Sequence, residues 1–586
     1  MGRGVKKEKM EEAARGSGHR DADRLLVAVA RHGGPWLVVL AVTALAIAAA
    51  ETALPAVMGR AFDAVVGDGP RSWVSWFGLL LVFLVVCEML DDLAVGATTA
   101  RSTSWLRRSV LRHVLAMGPR RAERFSAGDV VSRLVGNAAD SGEVARDLVR
   151  AVANLVPGIG GAVALALIDP WLCLTFLAGL PVLAVLLRTF ARDASDAADR
   201  YLEVQGTIAG RLVDALSGAR TIAAAGTVDR EVGRVLAPVP ELHRHGMGMW
   251  RAQTKMAAQD ALVVPLLEIL VLAVAGVQLV RGRLTPGEML AAGQYVVLAT
   301  TVGSAVDVVG RLARARAGAG RAAEVLGQPP MPYGTARLPA GPGEIEFRAV
   351  TVRAGGAPVL DGLDLVVPGG ALVAVVGPSG AGKSLLAALA GRLIDPDQGE
   401  VRLDGMALPL VDRHQLRQEV TYGFERPALI GDTLADVIAF GARTPAPEEV
   451  VAAARAAEAD AFIRRMPDGY RTRLADAPMS GGEVQRVGLA RAFAHAGRVV
   501  ILDDVAASLD TVTEHHVRRV LTGELGDRTR LVVAHRASTA TRADVVVWLD
   551  SGRVRGVGPH HELRSDPDYR ALFDPAHQAG VVGSEP

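Results

Sequence analysis

Apolar residues gather in long runs through the first half of the chain and in short ones after residue 343. Six runs of spanning length extend from about Trp36 to Met58, Val74 to Gly96, Ala151 to Ile168, Trp171 to Leu187, Ala261 to Val280 and Met289 to Val309. A helix of about 20 apolar residues crosses the hydrocarbon layer, so each run predicts a transmembrane helix, and an even number returns the chain to its starting side. The links are unequal: roughly fifty residues separate the second and third runs and nearly seventy the fourth and fifth, while the other three links are short. A fifty-residue excursion folded as two helices carries its turn about 35 Å beyond the bilayer. Both long arms are therefore expected on one side.

Charge selects that side. The first arm holds Arg101, Arg107, Arg108, Arg112, Arg120, Arg121, Arg124, Arg133 and Arg146, and the opposite links offer little beyond Arg60, Arg71, Arg281 and Arg283. The positive-inside bias makes the arms cytoplasmic in a multi-pass protein of the cell membrane. Residues 1–35, charged in both signs, read as a cytoplasmic tail, and 36–326 as a six-span membrane domain. The first apolar run starts at Trp36 and outlasts a signal-peptide core, so no cleavable signal is expected. Residues 327–343 carry Pro329, Pro330, Pro332, Pro339 and Pro342 among glycines and read as a linker. From 344 to 575, short β-type runs such as Ala371 to Val376, Val499 to Asp503, Leu531 to Ala534 and Val545 to Leu549 alternate with helical segments, an α/β pattern, before a C-terminal tail at 576–586.

Composition removes some classes. A net charge of +1 with no basic stripe gives no reason to expect nucleic acid as a partner. The two cysteines, Cys87 and Cys173, lie far apart in apolar stretches and fit buried packing, not a metal motif or a disulfide framework. Lysine occurs only at positions 6, 7, 9, 255 and 383, so the isolated Lys383 stands out.

Lys383 closes the most specific motif in the chain, Gly377, Pro378, Ser379, Gly380, Ala381, Gly382, Lys383 and Ser384, between the run Ala371 to Val376 and a helical stretch from Leu385. This is the phosphate-loop pattern. Its glycines let backbone N–H groups face phosphates, the helix start adds a favourable dipole, Lys383 reaches the terminal phosphates and Ser384 can ligate Mg²⁺. A chance glycine-rich turn is the bland alternative, and the flanking strand and helix count against it. A second apolar run, Val499 to Leu502, ends in Asp503 and Asp504. An aspartate there suits a water-mediated hold on Mg²⁺, although two aspartates at a strand end serve as a plain turn at least as often.

With these in place, the segment Met479, Ser480, Gly481, Gly482 and Glu483, with the helical run to Ala492, resembles the signature motif of ABC ATPases. The stretch from Val532 to Thr539, containing His535, is similar to their histidine switch, and Ser508 to Asp510 to the loop after the second phosphate-site strand. In the membrane half, Phe125 to Arg133 and Leu216 to Ile222 are similar to the coupling regions of bacterial ABC exporters. The resemblance implies an α-helical six-span transmembrane domain of exporter type joined to an α/β P-loop ATPase. It also implies a second ABC half-transporter as partner, with ATP and Mg²⁺ held between one chain's phosphate loop and the other's Ser480 to Glu483. Asp504, His535 and Glu425 take the catalytic positions, and Ser384, Asp503 and Glu425 those near the metal.

Several positions depart from the family. Asp504 stands where a glutamate polarises the attacking water; one methylene less pulls the carboxylate back, and a misplacement of about 1 Å can cost about 10²-fold in rate. Glu425 replaces a glutamine, Ala354 replaces the aromatic that stacks on adenine, and Thr472 to Pro478 is short and lacks the usual Glu-Arg-Gly. Residues serving this chain's own ATP are altered while the signature lent to a partner is nearly normal, so the degenerate half of a heterodimeric exporter is expected. The alternatives are a homodimeric drug or lipid exporter in which Asp504 suffices, and a membrane-anchored ATP-binding regulatory subunit without transport. A soluble ABC protein acting on nucleic acid would have no spans.

For cargo, Glu51, Glu88, Asp91, Asp92, Asp260, Glu268 and Asp307 fall in or near the spans, which reads either as a cation-tolerant pathway or as helix ends in water. The signature, the short segment before it and Asp504 to Asp510 together resemble transporters encoded with actinobacterial lanthipeptides, so a peptide is the first expectation. Too few residues precede Trp36 for a leader-trimming protease domain, and none is expected.

Overall fold

The computed structural model of the chain describes residues 20–67, 70–300, 305–505 and 511–573. They divide into two compact units, Met1–Leu115 with Phe125–Gln328, and Ala116–Arg124 with Pro329–Pro586.

The first unit is helical. Helix α1 spans residues 20–31, followed by α2 (Pro35–Val66), α3 (Ser72–Ala116), α4 (Val144–Ile168), α5 (Pro170–Ser217), α6 (Val239–Val280), α7 (Pro286–Thr300) and α8 (Ala305–Leu326). Among the described residues three helical stretches are long and apolar enough to cross a bilayer, Pro35–Val66, Ser72–Ala116 and Ala127–Ile168, and two shorter apolar ones lie at Pro170–Gly179 and Val264–Val280. The first five apolar runs fall on α2 to α6 in order, and the sixth is shared by α7 and α8 around residues 301–304, which lie outside the described residues.

Helix α1 departs from the reading of residues 1–35 as a tail. Ala22, Leu26 and Val29, spaced one and two turns apart, form a buried stripe, and the first two pack on Val144, Ala315 and Ala319. In the sequence the stripe is hidden in a short apolar run, Leu25 to Ala30, that follows the charged residues Arg20, Asp21, Asp23 and Arg24.

Close helix contact needs missing side chains. At Gly59 an added Cβ would meet the Gly287 carbonyl at 2.4 Å, and this approach brings the Asp63 carboxylate to the start of α7, where it accepts from the Gly287 N–H at 2.7 Å. Acidic groups are likewise drawn into packing. Asp91 is buried, accepts from the Thr43 hydroxyl at 2.9 Å and pairs with Arg150 at 3.3 Å. It is a satisfied helix–helix contact, which removes it from the candidate cation pathway. Glu268 and Glu51 are half-buried, and Glu88 and Asp92 exposed; the side chains of Asp260 and Asp307 lie outside those described.

The second unit holds two sheets. Strands β1 (Ile345–Ala354), β2 (Ala357–Val367), β4 (Gln398–Leu403) and β5 (Met406–Ala407) form an antiparallel sheet ordered β2-β1-β4-β5. The other is ordered β10-β9-β3-β8-β7-β6, built from β3 (Leu372–Val376), β6 (Val420–Gly423), β7 (Val499–Asp503), β8 (Thr529–Val533), β9 (Val545–Asp550) and β10 (Arg553–Gly558), all parallel except the β9–β10 edge. Val373, Val375, Ile501, Leu531 and Val547 sit in a core that also takes in Ile345, Phe347 and Leu386. Every residue of β3 is buried, which is why it reads as a continuous apolar run with no alternation.

The proline-rich segment read as a linker is fastened down over most of its length. Ala336 exchanges backbone hydrogen bonds with Leu410 and Asp412 at 3.0 and 2.9 Å, and Leu338 is buried. The fully buried Arg392 lies 4.2 Å from the Tyr333 ring, donates to the Pro332 carbonyl and pairs with Asp395 at 3.0 Å. Prolines lack donors, so part of the strap is held by a buried cation reaching the Pro332 carbonyl.

Candidate functional site

The site forms where parallel strands end. β3 feeds the loop from Gly377 to Gly382, and α9 (Lys383–Ala390) starts directly after it. Gly380 and Gly382 adopt φ of +80° and +94°, a region that favours glycine, and an added Cβ at Gly382 would meet Leu360 at 2.7 Å. Pro378, Ser379 and Gly380 are exposed and Ala381 is buried, so the loop lies open on one side and anchored on the other.

Lys383 folds back over this loop, its Nζ donating to the Gly377 carbonyl at 2.9 Å and the Pro378 carbonyl at 2.8 Å. Burial lowers the pKa of its ammonium, against the opposing pull of Asp504 and Asp503. Ser384, one residue on, donates from its hydroxyl to Asp503 Oδ1 at 2.9 Å. The other carboxylate oxygen of Asp503 accepts from the Tyr422 hydroxyl at 3.0 Å. Pairing of β6 with β7, Tyr422 beside Ile501, delivers that phenol; burial and then Asp503 raise its pKa, so it stays a donor. Nothing in the sequence pattern marks Tyr422, because its role comes from strand neighbours about eighty residues apart.

Asp504 ends the β7 turn with a backbone φ of +47°, a left-handed geometry that Asp tolerates better than most residues. Its carboxylate lies 3.7 Å from His535 Nε2. Burial raises its pKa, Glu425 and Asp503 add to the rise, and His535 and Lys383 oppose it. The fold thus gathers Lys383, Ser384, Asp503, Asp504, Glu425 and His535 into one electrostatic neighbourhood. Glu425 is exposed, with Arg426 3.6 Å from its carboxylate, and its backbone carbonyl accepts from Gln485 at 3.4 Å. Ser508 to Asp510 lie outside the described residues.

The second motif is built as a helix start. α10 (Gly481–Ala494) begins after Ser480, whose hydroxyl and N–H both reach Glu483 Oε2 at 2.8 Å, while the Glu483 N–H returns to the Ser480 hydroxyl at 3.4 Å. This is a capping box. The Ser480 N–H, then its hydroxyl, holds the Glu483 carboxyl below its usual range. Glu483 therefore serves the helix, while Ser480 and Gly481 are exposed and Gly482 partly so. Among the described residues no hydrogen bond joins this motif to the phosphate loop. The short segment before it is tied down: Leu434 N–H donates to the Thr472 carbonyl at 3.1 Å and Leu474 N–H to the Asp432 carbonyl at 2.9 Å.

Comparison with known proteins gives a consistent picture. Residues 360–507 match the family described as ABC transporter, and residues 37–302 the ABC transporter transmembrane region. The chain is 47% identical over 540 residues to the ABC transporter ATP-binding protein RamA of Streptomyces coelicolor, covering 92% of this chain and 85% of that one. It is 29% identical over 573 residues to an ATP-dependent lipid A-core flippase of Dechloromonas aromatica, covering 94% and 96%. The solved structure of a bacterial Atm1-family ABC exporter with ATP bound superposes with a TM-score of 0.77, covering 94% of this chain and 98% of that one; at 24% identity this is a likeness of fold.

Proposed function

Because the chain belongs to the ABC transporter family, as a half-transporter whose membrane region and ATPase domain together drive export with ATP, we propose that it is the catalytically impaired half of a heterodimer. Family and fold imply a dimer in a lipid bilayer and ATP hydrolysis coupled to transport. The observation that carries the finer reading is Asp504: a short carboxylate in left-handed backbone, half-buried, 3.7 Å from His535 and beside a second acid at Glu425. The chain's own domains are taken as 36–326 for the membrane part and 344–575 for the ATPase.

At its own site, backbone N–H groups of Gly377 to Gly382 and the start of α9 receive the phosphates, and Lys383 turns from the loop carbonyls to the terminal ones. The donor set beside them is hard oxygen, Ser384 hydroxyl and Asp503 carboxylate 2.9 Å apart. Such hard oxygen donors suit Mg²⁺, an ion that keeps waters and phosphate oxygens as its other ligands. Bound there, Mg²⁺ would supply charge neutralisation for the phosphates. Asp504 accepts the proton of the attacking water and His535 steadies it, but the carboxylate is set back and Glu425 adds negative charge where phosphate charge already accumulates. Ser480, Gly481 and Gly482 serve the partner's ATP.

The arginine-rich arms support a cytoplasmic ATPase domain and N-terminus in the cell membrane. The resemblance around Met479 and Asp504 supports a peptide cargo. A second reading, a homodimeric lipid exporter, draws on the likeness to the lipid A-core flippase. Turnover by the purified full chain separates the two. Alone it should hydrolyse ATP slowly and gain activity with a second half-transporter carrying glutamate at the matching position. Brisk hydrolysis by the chain alone that collapses with Asp504→Asn would leave the homodimer standing.

A further inference from the structure

Asp503 closes β7 with both carboxylate oxygens in use. Oδ1 accepts from the Ser384 hydroxyl at 2.9 Å and Oδ2 from the Tyr422 hydroxyl at 3.0 Å. The donors come from different elements: Ser384 lies in the first turn of α9, and Tyr422 on β6, the edge strand of its sheet. The terminal torsion of an aspartate is broad, so the side chain alone does not set the plane of its carboxylate. A hydrogen bond on each oxygen sets it. Both donors are neutral hydroxyls, so neither brings a positive charge that would compete with a cation.

Tyr422 is seated by packing that does not depend on its hydroxyl. An added Cβ on Gly391, just past α9, would meet Tyr422 Cδ2 at 2.9 Å, so the ring fills the space this glycine leaves. Phe424, two residues on and on the same face of the strand, tilts against it with ring centroids 4.5 Å apart. In the register of β6 on β7, Tyr422 stands beside Ile501, two residues short of Asp503. That offset is about 7 Å along the strand, a gap that a phenol spans and a short hydroxyl side chain does not.

We propose that Tyr422 is a positioning residue for Mg²⁺ at this chain's own nucleotide site, holding Oδ2 of Asp503 so that the carboxylate, with Ser384, is fixed to receive the ion and its waters. The inference rests on the nucleotide-site reading above and deepens it. A carboxylate offers roughly four acceptor sites; the two hydroxyls take two and leave the others for water bound to the ion. Groups that orient a metal's ligands from behind typically change metal affinity by about 10–100-fold. Because the phenol acts on Asp503, it governs how the metal–nucleotide complex is held, while Asp504 governs how fast it is hydrolysed. A firm hold and slow turnover then coexist in one site.

The test uses the full chain in lipid nanodiscs and measures the Kd of ATP in EDTA and in saturating Mg²⁺; the ratio of the two is the metal's share in binding. Tyr422→Phe, which keeps the ring and removes the donor, should reduce that share about tenfold and leave the Kd in EDTA unchanged, which also reports that the variant retains its fold. In an Asp503→Ala chain the same substitution should reduce the share no further, because the hydroxyl then has no carboxylate to hold. The proposal is overturned if Tyr422→Phe keeps the parent's share, if ATP weakens equally with and without metal, or if the second tenfold loss still appears without Asp503. Lys383→Ala should abolish ATP binding in both media. If it changes neither, the phosphate-loop reading falls and takes this role with it; if it behaves as expected while Tyr422→Phe matches the parent, only the role of Tyr422 falls.

Discussion

The ATPase unit has two edges proposed to meet ATP, and they are built differently. At the edge kept for its own nucleotide, Lys383, Ser384 and Asp503 are held by direct hydrogen bonds, yet the group meant to polarise water is a short aspartate that burial and two neighbouring acids push toward its neutral form. At the edge offered to a partner, Ser480 and Glu483 close a capping box with bonds of 2.8 Å. The difference teaches that binding and hydrolysis fail separately. Phosphate binding depends on backbone geometry, which drifting side chains leave intact, whereas hydrolysis depends on one carboxylate placed to within about 1 Å. The signature is further secured because its serine and glutamate also stabilise the start of α10.

Lys383→Ala should have the largest effect, a loss of high-affinity ATP binding at this chain's own site, because the loop loses its mobile cation. Equilibrium ATP binding by the full chain measures it, and unchanged affinity would erase the contrast between the edges. Next comes Ser480→Arg, which in the proposed heterodimer should cut ATPase activity of the reconstituted pair by about 10²-fold or more, since it would block the fast site; Asp504→Asn should change it a few-fold. In a homodimer the order inverts, and Asp504→Asn costs the 10²–10⁴-fold range of a general base.

The third effect is one of pH. Asp504 acts as a base only when ionised, and its folded pKa is raised, so slow turnover by the chain alone should fall as pH drops through that raised value, above the ordinary aspartate range. A pH–rate profile checks this, and Asp504→Asn should flatten it. The smallest effect belongs to the lent edge as structure. Ser480→Ala should cost about 1 kcal/mol of stability through the lost cap, read by denaturant unfolding. Glu483 works in the same direction: its folded pKa is lowered, so its contribution is present above the ordinary glutamate pKa and is lost as pH falls through the folded value.

How much of this was legible beforehand depends on the range of each interaction. The apolar runs, the phosphate loop and the signature declare themselves locally, because spanning length, glycine spacing and caps are properties of neighbouring residues. Helix α1 was missed because its apolar run, Leu25 to Ala30, is too short to span a bilayer, and Ala22 and Leu26 gain meaning only against Val144 and Ala315. The strap at 329–343 looked loose because prolines deny it a regular ladder, and the fastening comes from Arg392 and Tyr333, about sixty residues apart. In the site, Lys383, Asp503 and Asp504 were readable from motif spacing, but Tyr422 enters through strand pairing. Asp91, picked out as a possible pathway residue, turned out to be spoken for by Thr43 and Arg150.

The capping box has one more consequence. A serine hydroxyl carries a single hydrogen, and that of Ser480 points at Glu483. A phosphate oxygen is purely an acceptor and needs the same hydrogen. If a partner's nucleotide binds here as proposed, two anions would compete for one proton donor, and the hydroxyl would have to rotate away from the carboxylate to engage the ligand. The bond from the Ser480 N–H to Glu483 does not use that hydrogen, so the exchange would leave it to hold the helix start. On that proposal the signature would be a toggle with two tenants and one key: idle, it tightens its own helix, and engaged, it would release that bond to hold another chain's ATP.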